Sequence, residues 1–490
     1  MASDRMAAAA RAYHELTAHS YTSVRGDGHV LDWENKPFPF KIYPQAGLAL
    51  PRDLRLSTRP VLATLAQREL ESGHHLDLAA LTRILYCAAG LTHYRRVGME
   101  VYHFRAAASA GALYPTELYL ASGSALKEEL EPGLYHFAPA DLALRGLRRG
   151  DWRQYIARAA AMHPGLAQAE AIIILNAMFW RSTWKYRARA YRYCYWDAGT
   201  IIANLQAAAT AEEVSVQLSV HFVDRDLEQL LGVDGEREGV LALIGLGMGE
   251  AAPVSPPLEP LELETVPLSL QEVTYPDLVA MHKASKLATR EEVSAVAVNG
   301  AIAPTSPQPR FDLPSLGLGA TIAARGSTRV FSLEGLPQAE LRAILAAGAA
   351  HLGSDFPPLS SSYLIVNEVD GIAPGAYYYE ASSGELELLK AGDFRDQARY
   401  LCLEQALGGD AAALLIWMGS WGKIAQLGDR GYRAAQLGAG IAAGRAYLAA
   451  YGLGRGASGL TFYDDDTTAF LSPHAAGKIA LLTLAVGVPA

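Results

Sequence analysis

Hydrophobic positions along the chain recur in short patterns that predict helices and strands. The sequence LDLAALTRIL, residues 76–85, places leucine and isoleucine at the spacing of one buried helix face. After a glycine that predicts a turn, GLYHF at residues 133–137 alternates apolar and aromatic side chains, which is typical of a strand. Because the predicted helices and strands do not alternate as regular βαβ units, their order favours an α+β layer fold over a doubly wound parallel sheet.

The same patterns occur a second time and in the same order. LPQAELRAIL at residues 336–345 repeats the helix, and GAYYY at residues 375–379 repeats the strand. The motifs L-x2-L-x2-G-D-[FW]-R and R-x-Y-R-x5-A-G also occur twice, and the offset is 242 residues from Gly133 to Gly375 and 241 from Arg189 to Arg430. The leading helix is offset by 260 residues, so the first copy carries about 18 extra residues before its strand. We therefore predict two divergent copies of one folding unit.

A proline-rich segment, APVSPPLEPLELETVP at residues 252–267, lies between the copies and predicts an extended linker. Residues 1–251 and 268–490 are the predicted domains, and a length of 490 residues suits two cores rather than one. Duplicated units in one chain commonly recreate a symmetric dimer, so we expect an intramolecular pseudo-dimer with long apolar helices at its centre.

Composition narrows the classes of function. The chain is 50% hydrophobic and 19% charged, as globular proteins are, and its net charge of −9 includes no basic block that would bind nucleic acid. Cys87, Cys194 and Cys402 are far apart in the sequence, which predicts neither disulfides nor a zinc site. Without a long apolar run or a signal-peptide pattern, we expect a cytoplasmic protein with no membrane contact. The acidic run at residues 464–466 has no metal-ligand spacing and predicts a solvated turn, so no metal site is expected.

The first candidate for chemistry is SAGALYP at residues 109–115. Its opening residues are small, so a flat ligand could lie close to the backbone of the segment. The alternative interpretation is a tight turn that leads into the strand TELYLAS. The ligand-facing candidates are Ser109, Ala110, Gly111, Ala112 and Leu113.

The second candidate is the pair Lys185 and Tyr186, within WKYRARAYR. The alternative interpretation is an exposed basic helix, because residues four apart share one face. The second copy keeps the R-x-Y-R frame but has Gln426 and Leu427 where this pair stands. A purely structural pair would be expected in both copies, so the difference favours a functional role.

The third candidate is RGSTRVF, which contains Arg325, Ser327 and Arg329. Guanidinium groups pair with phosphate oxygens and a serine hydroxyl adds a hydrogen bond, although an ordinary surface loop is the alternative. The 260-residue offset places Leu65, Gln67 and Glu69 at the equivalent positions of the first copy. A similar RLSTR at residues 55–59 lies ten residues too early and is interpreted as a chance similarity.

Together these motifs resemble the SagB-type, McbC-like dehydrogenases of the FMN-dependent nitroreductase superfamily. The resemblance rests on SAGALYP before a strand, the Lys-Tyr pair before R-x-Y-R, and a downstream D-A-G; the opening residues 13–44 are similar to the leader region of that family. It implies that Lys185 and Tyr186 are catalytic, and the best-known members oxidise azoline rings of peptides to azoles. RGSTRVF resembles the nitroreductase signature that binds the FMN phosphate. GLGRGASG at residues 452–459 corresponds to a glycine-bearing turn that offers backbone amides to the flavin, which implicates Ser458 and Gly459.

The superfamily places each FMN between two subunits, with the phosphate-binding residues on one and the SAG-type segment on the other. Here each copy keeps what the other lacks, so the resemblance implies one composite FMN site per chain. The expected function is oxidation of an azoline-type or other amino-acid-derived heterocycle, in a small molecule or a peptide, during natural-product biosynthesis.

Aromatising such a ring sends a hydride to the flavin and requires a positioned base. A tyrosine beside a cationic lysine is expected to lose its proton more easily, and the sequence leaves open which of the two moves the proton. The alternative functions are an NAD(P)H-dependent nitro- or quinone reductase and a degenerate, non-catalytic scaffold of a peptide-modifying complex.

Overall fold

The computed structural model describes residues 7–26, 28–67, 75–98, 100–126, 128–296, 311–350 and 353–490. Among the predicted positions, Glu69 lies outside these ranges. The strands are β1 (Leu48–Ala49), β2 (Leu91–Val97), β3 (Glu100–Arg105), β4 (Thr116–Ser122), β5 (Gly133–Ala138), β6 (Ala143–Arg149), β7 (Ala171–Met178), β8 (Val216–Ser219), β9 (Glu238–Leu246), β10 (Ser360–Val366), β11 (Gly375–Glu380), β12 (Glu385–Ala391), β13 (Ala413–Ser420), β14 (Gly456–Leu460) and β15 (Lys478–Gly487).

The α-helices lie on and between the sheets. Those of the first copy are α1 (Ala8–Leu16), α2 (Tyr21–Gly26), α3 (Val61–Ala66), α4 (Leu78–Ala89), α5 (Arg153–Ala159), α6 (Pro164–Ala167), α7 (Phe179–Tyr186), α8 (Ala190–Ala211) and α9 (Asp224–Leu231). Those after the linker are α10 (Pro276–Ala284), α11 (Arg290–Val296), α12 (Leu318–Ala324), α13 (Gln338–Ala349), α14 (Arg395–Leu401), α15 (Ala406–Asp410), α16 (Trp421–Ala425), α17 (Gly428–Gly452) and α18 (Asp464–Leu471).

Each copy forms one antiparallel sheet. The strand order is β1-β6-β5-β4-β7-β9-β8 in the first sheet and β12-β11-β10-β13-β15-β14 in the second. Apart from the short β1, the two orders correspond strand for strand in chain sequence. The central strands β7 and β13 are almost entirely buried, in keeping with their mainly apolar sequences. The prediction of an α+β fold made of two copies of one unit is confirmed.

The long helices α8 and α17 pack against each other where the copies meet, and small residues let their backbones approach. A Cβ on Gly199 would lie 2.5 Å from the carbonyl carbon of Gly440, and one on Gly440 would lie 2.6 Å from the carbonyl oxygen of Trp196. Nearly every residue of both helices is buried. This contact makes the chain the intramolecular pseudo-dimer that the repeat predicts.

Ion pairs across the same interface explain the conserved frame of the R-x-Y-R motif. In the first copy Arg189 and Arg192 contact the carboxylate of Asp464 in the second, at 2.8 and 2.5 Å. Although burial alone would raise it, the two guanidinium groups hold the pKa of Asp464 below its ordinary value. The predicted solvated turn is therefore wrong for Asp464, which is 1% exposed and begins α18. We call this set the first arginine clasp.

The second arginine clasp is its mirror image. Arg430 and Arg433 of the second copy contact Asp224 of the first copy at 2.9 and 2.8 Å. Here too the carboxylate begins a helix, α9, so its charge also lies at the positive end of a helix dipole. Each copy thus holds the other by the same contacts.

The extra residues of the first copy form the hairpin β2–β3, which the described part of the second copy lacks. The linker at residues 252–267 has no helix or strand and follows the surface of the first copy, where Val266 donates its N–H to the Ile42 carbonyl. The exact domain boundaries stay a prediction. None of the helices in the described ranges is both long and apolar enough to cross a membrane.

Candidate functional site

Residues 109–115, which we call the SAG segment, connect the hairpin to β4 and adopt an unusual backbone. Gly111, Ala112 and Tyr114 all have positive φ angles, of 64°, 54° and 49°. Glycine adopts this conformation freely, but the Cβ of alanine or tyrosine disfavours it by about 1–2 kcal/mol per residue. Backbone strain of this kind persists only where surrounding contacts hold it, and it is common at ligand-binding sites.

The contacts that hold the SAG segment come from α8. Asp197 accepts a hydrogen bond from the Ser109 hydroxyl at 2.5 Å and another from the Ala110 N–H at 2.9 Å. The Ser109 oxygen in turn accepts the N–H of Tyr114 at 2.9 Å. Thr200, one turn further along the helix, donates its hydroxyl to the Ala108 carbonyl. The central helix of the first copy therefore fixes the segment from below.

Lys185 and Tyr186 end α7 directly beside the SAG segment. A Cβ on Gly111 would lie 2.7 Å from the Tyr186 hydroxyl and 3.3 Å from Lys185 Nζ, so only glycine allows this approach. The Tyr186 ring packs on Tyr193 at a centroid distance of 4.3 Å. Arg187 then follows with φ 52° and ψ −142°, a conformation that glycine strongly favours, so strain also marks the end of the pair.

The ionisation of the pair differs from the sequence prediction. Burial, with Tyr193 and the negative charge of Asp197 beside it, raises the pKa of Tyr186, and the charge of Arg329 opposes this only in part. Burial and the same Arg329 charge lower the pKa of Lys185. The expectation of an easily formed phenolate is therefore corrected: Tyr186 keeps its proton at neutral pH, and the lysine is the group shifted towards its neutral form.

The segment RGSTR of the second copy reaches this site from across the interface. Arg325 donates to the carbonyl oxygens of Arg105 and Ala106, at 2.8 and 2.7 Å, just ahead of the SAG segment. Arg329 is exposed, and no hydrogen bond or ion pair to it occurs among the described residues. Since its charge affects both Lys185 and Tyr186, it lies close to the pair. The structure thus brings the three predicted motifs together. Most of the N–H donors of Arg325, however, already bind backbone carbonyl oxygens of the chain.

The predicted glycine turn has a different local structure. Ser458 and Gly459 lie in the edge strand β14, and the turn ends before them at Gly454, whose φ is 72°. Ser458 is 2% exposed, and the N–H of Gly459 donates to the Tyr447 hydroxyl at 2.5 Å. The amide of Gly459 is therefore already engaged, which corrects the expectation of a turn with free amides at these two residues.

Tyr447 connects this strand to RGSTR. Burial raises its pKa, while hydrogen bonds with Ser327 and Gly459 lower it. Thr328 donates its N–H to the carbonyl of Ala457 at 3.0 Å, so RGSTR runs alongside β14. Ser327 is in this way held at the edge of the second sheet, close to the first copy.

The donor set fits FMN. A phosphate needs cations and hydroxyl donors, and Arg329 and Ser327 supply both. The ring system needs a flat surface without side chains, and the exposed Gly111 and Ala112 offer one next to Lys185. These groups come from both copies and meet at one place.

The position related to this site by exchange of the two copies lacks these phosphate- and ring-binding groups among the described residues. Arg59 of RLSTR donates to Gln67 at 2.5 Å, and Arg55 pairs with Asp53. RLSTR precedes α3, whereas RGSTR follows α12, so the two segments are not equivalent in the fold. The described residues that precede β10, residues 353–359, read GSDFPPL and contain no SAG-type sequence.

The D-A-G motif is recognisable in the sequence as part of the family resemblance, but the sequence predicted no role for Asp197. A signal was present: the 241-residue offset places Gly438 at the equivalent position of the second copy, which also has no SAG segment. The aromatic neighbours Tyr193 and Tyr447 carried no recognisable signal, because their positions depend on helix packing.

Comparison with known proteins agrees with this geometry. The model of the Nitroreductase family matches residues 67–248 and 322–486, once in each copy. A crystal structure from Anabaena variabilis, named as a nitroreductase, is 27% identical, covers 98% of this chain and 99% of its own, and superposes with a TM-score of 0.76. A Methanocaldococcus jannaschii protein, also named as a nitroreductase, is 27% identical over 172 residues, which are 35% of this chain and 81% of that protein.

Proposed function

Because the chain belongs to the nitroreductase family and is thus expected to be an oxidoreductase, we propose that it is an FMN-dependent dehydrogenase with one composite site. The observation that carries the proposal is that the Lys185–Tyr186 pair and the SAG segment of one copy meet RGSTR of the other, whose Arg325 donates to carbonyls just ahead of the SAG segment. Neither copy alone contains the complete set.

In this proposal Arg329 and Ser327 hold the FMN phosphate, with the remaining N–H of Arg325 nearby. The SAG segment, from Ser109 to Leu113, lies against the ring system. When bound, FMN supplies the acceptor for the hydride that leaves the substrate. The protein then has to position the substrate and remove a proton.

Lys185 is the proposed base and Tyr186 the proposed hydrogen-bond donor. The lowered pKa of Lys185 raises the fraction of neutral amine, which alone can accept a proton from carbon. The raised pKa of Tyr186 keeps its hydroxyl protonated, so it can donate to a ring nitrogen or carbonyl of the substrate. The two residues therefore have separate tasks.

Exposed aromatic side chains lie near the Lys185–Tyr186 pair. Trp184, which precedes Lys185, packs edge-on against Trp33 at 5.2 Å, and Trp33 is 61% exposed. The hairpin nearby exposes Tyr94 and Tyr102 as well. Exposed aromatic surface of this extent commonly marks a binding site. We propose an azoline-type or other amino-acid-derived heterocycle, carried by a peptide or small molecule, as the substrate class.

Flavin content and three variants test the proposal. We expect one FMN per chain from the absorbance spectrum, and Lys185→Ala should slow turnover of an azoline peptide by about 10²- to 10⁴-fold while FMN stays bound. Tyr186→Phe should also slow it, and Gln426→Ala, at the equivalent place in the second copy, should not. Two FMN molecules per chain would contradict the composite site, and full turnover by both first-copy variants would contradict the catalytic roles of Lys185 and Tyr186.

A second candidate is an NAD(P)H-dependent nitro- or quinone reductase, since the full-length relative from Anabaena variabilis is named as a nitroreductase. Such an enzyme needs no base on the protein. Rapid bleaching of the bound flavin by NADPH, with turnover that Lys185→Ala leaves unchanged, would favour it. A purified chain without flavin would instead favour the non-catalytic scaffold.

A further inference from the structure

We propose that Asp197 is a positioning residue whose negative charge holds the SAG segment in its flavin-binding conformation, and that neutralising this charge releases the segment and weakens FMN binding. The inference rests on the proposed function for the identity of the ligand. The anchoring itself concerns only residues of this chain, so it can be tested separately.

The first observation is the geometry of the anchor. One carboxylate oxygen accepts the Ser109 hydroxyl and the other accepts the Ala110 N–H. Ser109 in turn restrains the backbone of Tyr114, because its oxygen accepts the N–H of Tyr114. The Ser109 hydroxyl therefore closes a loop from Ser109 to Tyr114 that contains the strained residues, and Asp197 holds this hydroxyl in place. Without these bonds, nothing in α8 except Thr200 would oppose relaxation of the positive φ angles.

The second observation is that the carboxylate is buried without a cation. Asp197 is 4% exposed and has no ion-pair partner among the residues that the structure describes. A cavity of about 10 Å³ lies beside it, lined by Arg105, Tyr114 and Ile201 among others. The Arg105 guanidinium makes no ion pair with Asp197 and donates to the carbonyls of Thr116 and Pro39. An uncompensated buried carboxylate is costly, so its presence requires a reason other than stability.

The groups that face Asp197 leave its charge unbalanced. They are Tyr114 from the SAG segment, Tyr186 at the end of α7 and Cys194 on α8 itself, and each is neutral at physiological pH because its pKa is raised. Burial raises the pKa of Asp197 to about 7, although the bonds from Ser109 and Ala110 oppose this. Its charge therefore changes within the physiological range.

Protonation would reverse one of the two bonds. A neutral carboxyl donates through its own hydroxyl, so Ser109 would have to accept that proton as well as the N–H of Tyr114. The Ser109 hydroxyl proton would then need another acceptor. The charge-assisted bond that fixes the start of the SAG segment is thus made only by the carboxylate, and the neutral bond that replaces it is about half as strong.

The third observation comes from the second copy. Gly438 stands at the position equivalent to Asp197, and the described residues ahead of β10, residues 353–359, read GSDFPPL and contain no SAG-type sequence. The carboxylate occurs only in the copy that has the segment. The arginine clasps, which are purely structural, occur in both copies.

Titration of FMN affinity between pH 6 and pH 8 tests the inference, with flavin fluorescence quenching as the signal. If only the charged form holds the segment, wild-type affinity should fall about tenfold from pH 8 to pH 6, because about one carboxyl in ten stays charged one unit below its pKa. Asp197→Asn should bind FMN at least tenfold more weakly at pH 8 and show no such pH dependence.

Asp429→Asn is the matched control. The Asp429 carboxylate also accepts a backbone N–H, from Ala10, and burial raises its pKa too, but it touches neither the SAG segment nor RGSTR. It should leave FMN affinity and its pH dependence unchanged. Ser109→Ala, which removes one donor and keeps the charge, should give a smaller loss of affinity than Asp197→Asn and serves if that variant folds poorly.

Hydrogen exchange of the amides at residues 110–114 in flavin-free protein separates the anchor from the proposed function. We expect faster exchange in Asp197→Asn than in the wild type at pH 8, after correction for intrinsic rates. Unchanged exchange and unchanged FMN affinity in this variant would overturn the inference. A wild-type chain that binds no FMN would overturn the proposed function, and the exchange measurement would still decide whether Asp197 anchors the segment.

Discussion

Arg192 and Arg433 occupy equivalent positions in the two copies, and each contacts an aspartate of the other copy. Four and five positions before the start of α8, the copies differ completely. The first has Lys185 and Tyr186 beside a strained segment, and the second has Gln426 and Leu427 with no such segment. The same interface therefore combines contacts that are duplicated with contacts that occur once.

This difference separates two kinds of residue. A contact that both copies keep has to satisfy the same packing on both sides of a pseudo-two-fold axis, so it supports the fold. A feature of one copy cannot be needed for that packing, since the other copy folds without it. The SAG segment, Asp197 and the Lys-Tyr pair belong to the second kind, and so does RGSTR in the opposite copy.

The largest expected effect comes from breaking a clasp. Asp464→Ala leaves Arg189 and Arg192 buried without their carboxylate, and such a loss costs about 3–5 kcal/mol of unfolding free energy. Asp224→Ala should cost a similar amount, because the second clasp has the same geometry. Urea unfolding followed by circular dichroism measures both. A loss below about 1 kcal/mol in either variant would show that the two clasps are not equivalent.

The clasps also predict acid sensitivity. The pKa of Asp464 is held below its ordinary value, so its contribution to stability is present above that ordinary value and is lost as the pH falls further. The wild type should therefore lose stability below about pH 4, and Asp464→Ala should lose less over the same range. Equal acid sensitivity of the two proteins would argue against the clasp as its source.

A smaller loss is expected where the central helices cross. Gly199→Ala places a Cβ 2.5 Å from backbone atoms of α17, and neither helix can move without disturbing the interface. Overpacking of this kind costs about 1–3 kcal/mol. Gly438→Ala is the matched control on α17, since its Cβ would meet only a ring carbon of Phe356 at 3.5 Å. Alanine is the better helix former, so the control should be neutral or slightly stabilising in thermal melts.

Much of the fold could be predicted from the sequence because the repeat is a property of local patterns. The strand at Gly375 and the helix at Leu336 are recognisable from their own neighbours, and the constant offsets relate the copies. The order of strands within each sheet has no such local signal. It depends on which strands pair across tens of residues, and sequence patterns do not specify that.

The candidate site could be predicted only in part. Its motifs were visible because the copies differ in them. The burial of Asp464 could not be predicted, because its partner Arg192 is 272 residues away and a run of acidic residues is usually solvated. The pKa of Tyr186 is raised by burial and by the electrostatic effect of Tyr193 and Asp197, which one turn of α8 brings beside it. Burial and long-range pairing are products of the folded chain.

The smallest expected effect on stability belongs to a variant of Arg329, whose proposed phosphate-binding role tests the composite site directly. Arg329→Ala should weaken FMN binding by about 10- to 100-fold, because a charge-assisted hydrogen bond contributes roughly 1.5–3 kcal/mol. Protein stability should hardly change, since Arg329 is exposed and has no partner among the described residues. Isothermal titration with FMN measures the affinity, and a thermal melt without FMN measures the stability.

Arg59→Ala in the similar RLSTR segment is the control for this prediction. Arg59 donates to Gln67 and to the carbonyl of Thr210, so its loss should affect the local structure and leave FMN affinity unchanged. Equal loss of affinity in both variants would mean that the two copies each contribute a phosphate site. In that case the flavin count would be two per chain, and the duplication would have preserved both active sites of the ancestral dimer instead of dividing one between its halves.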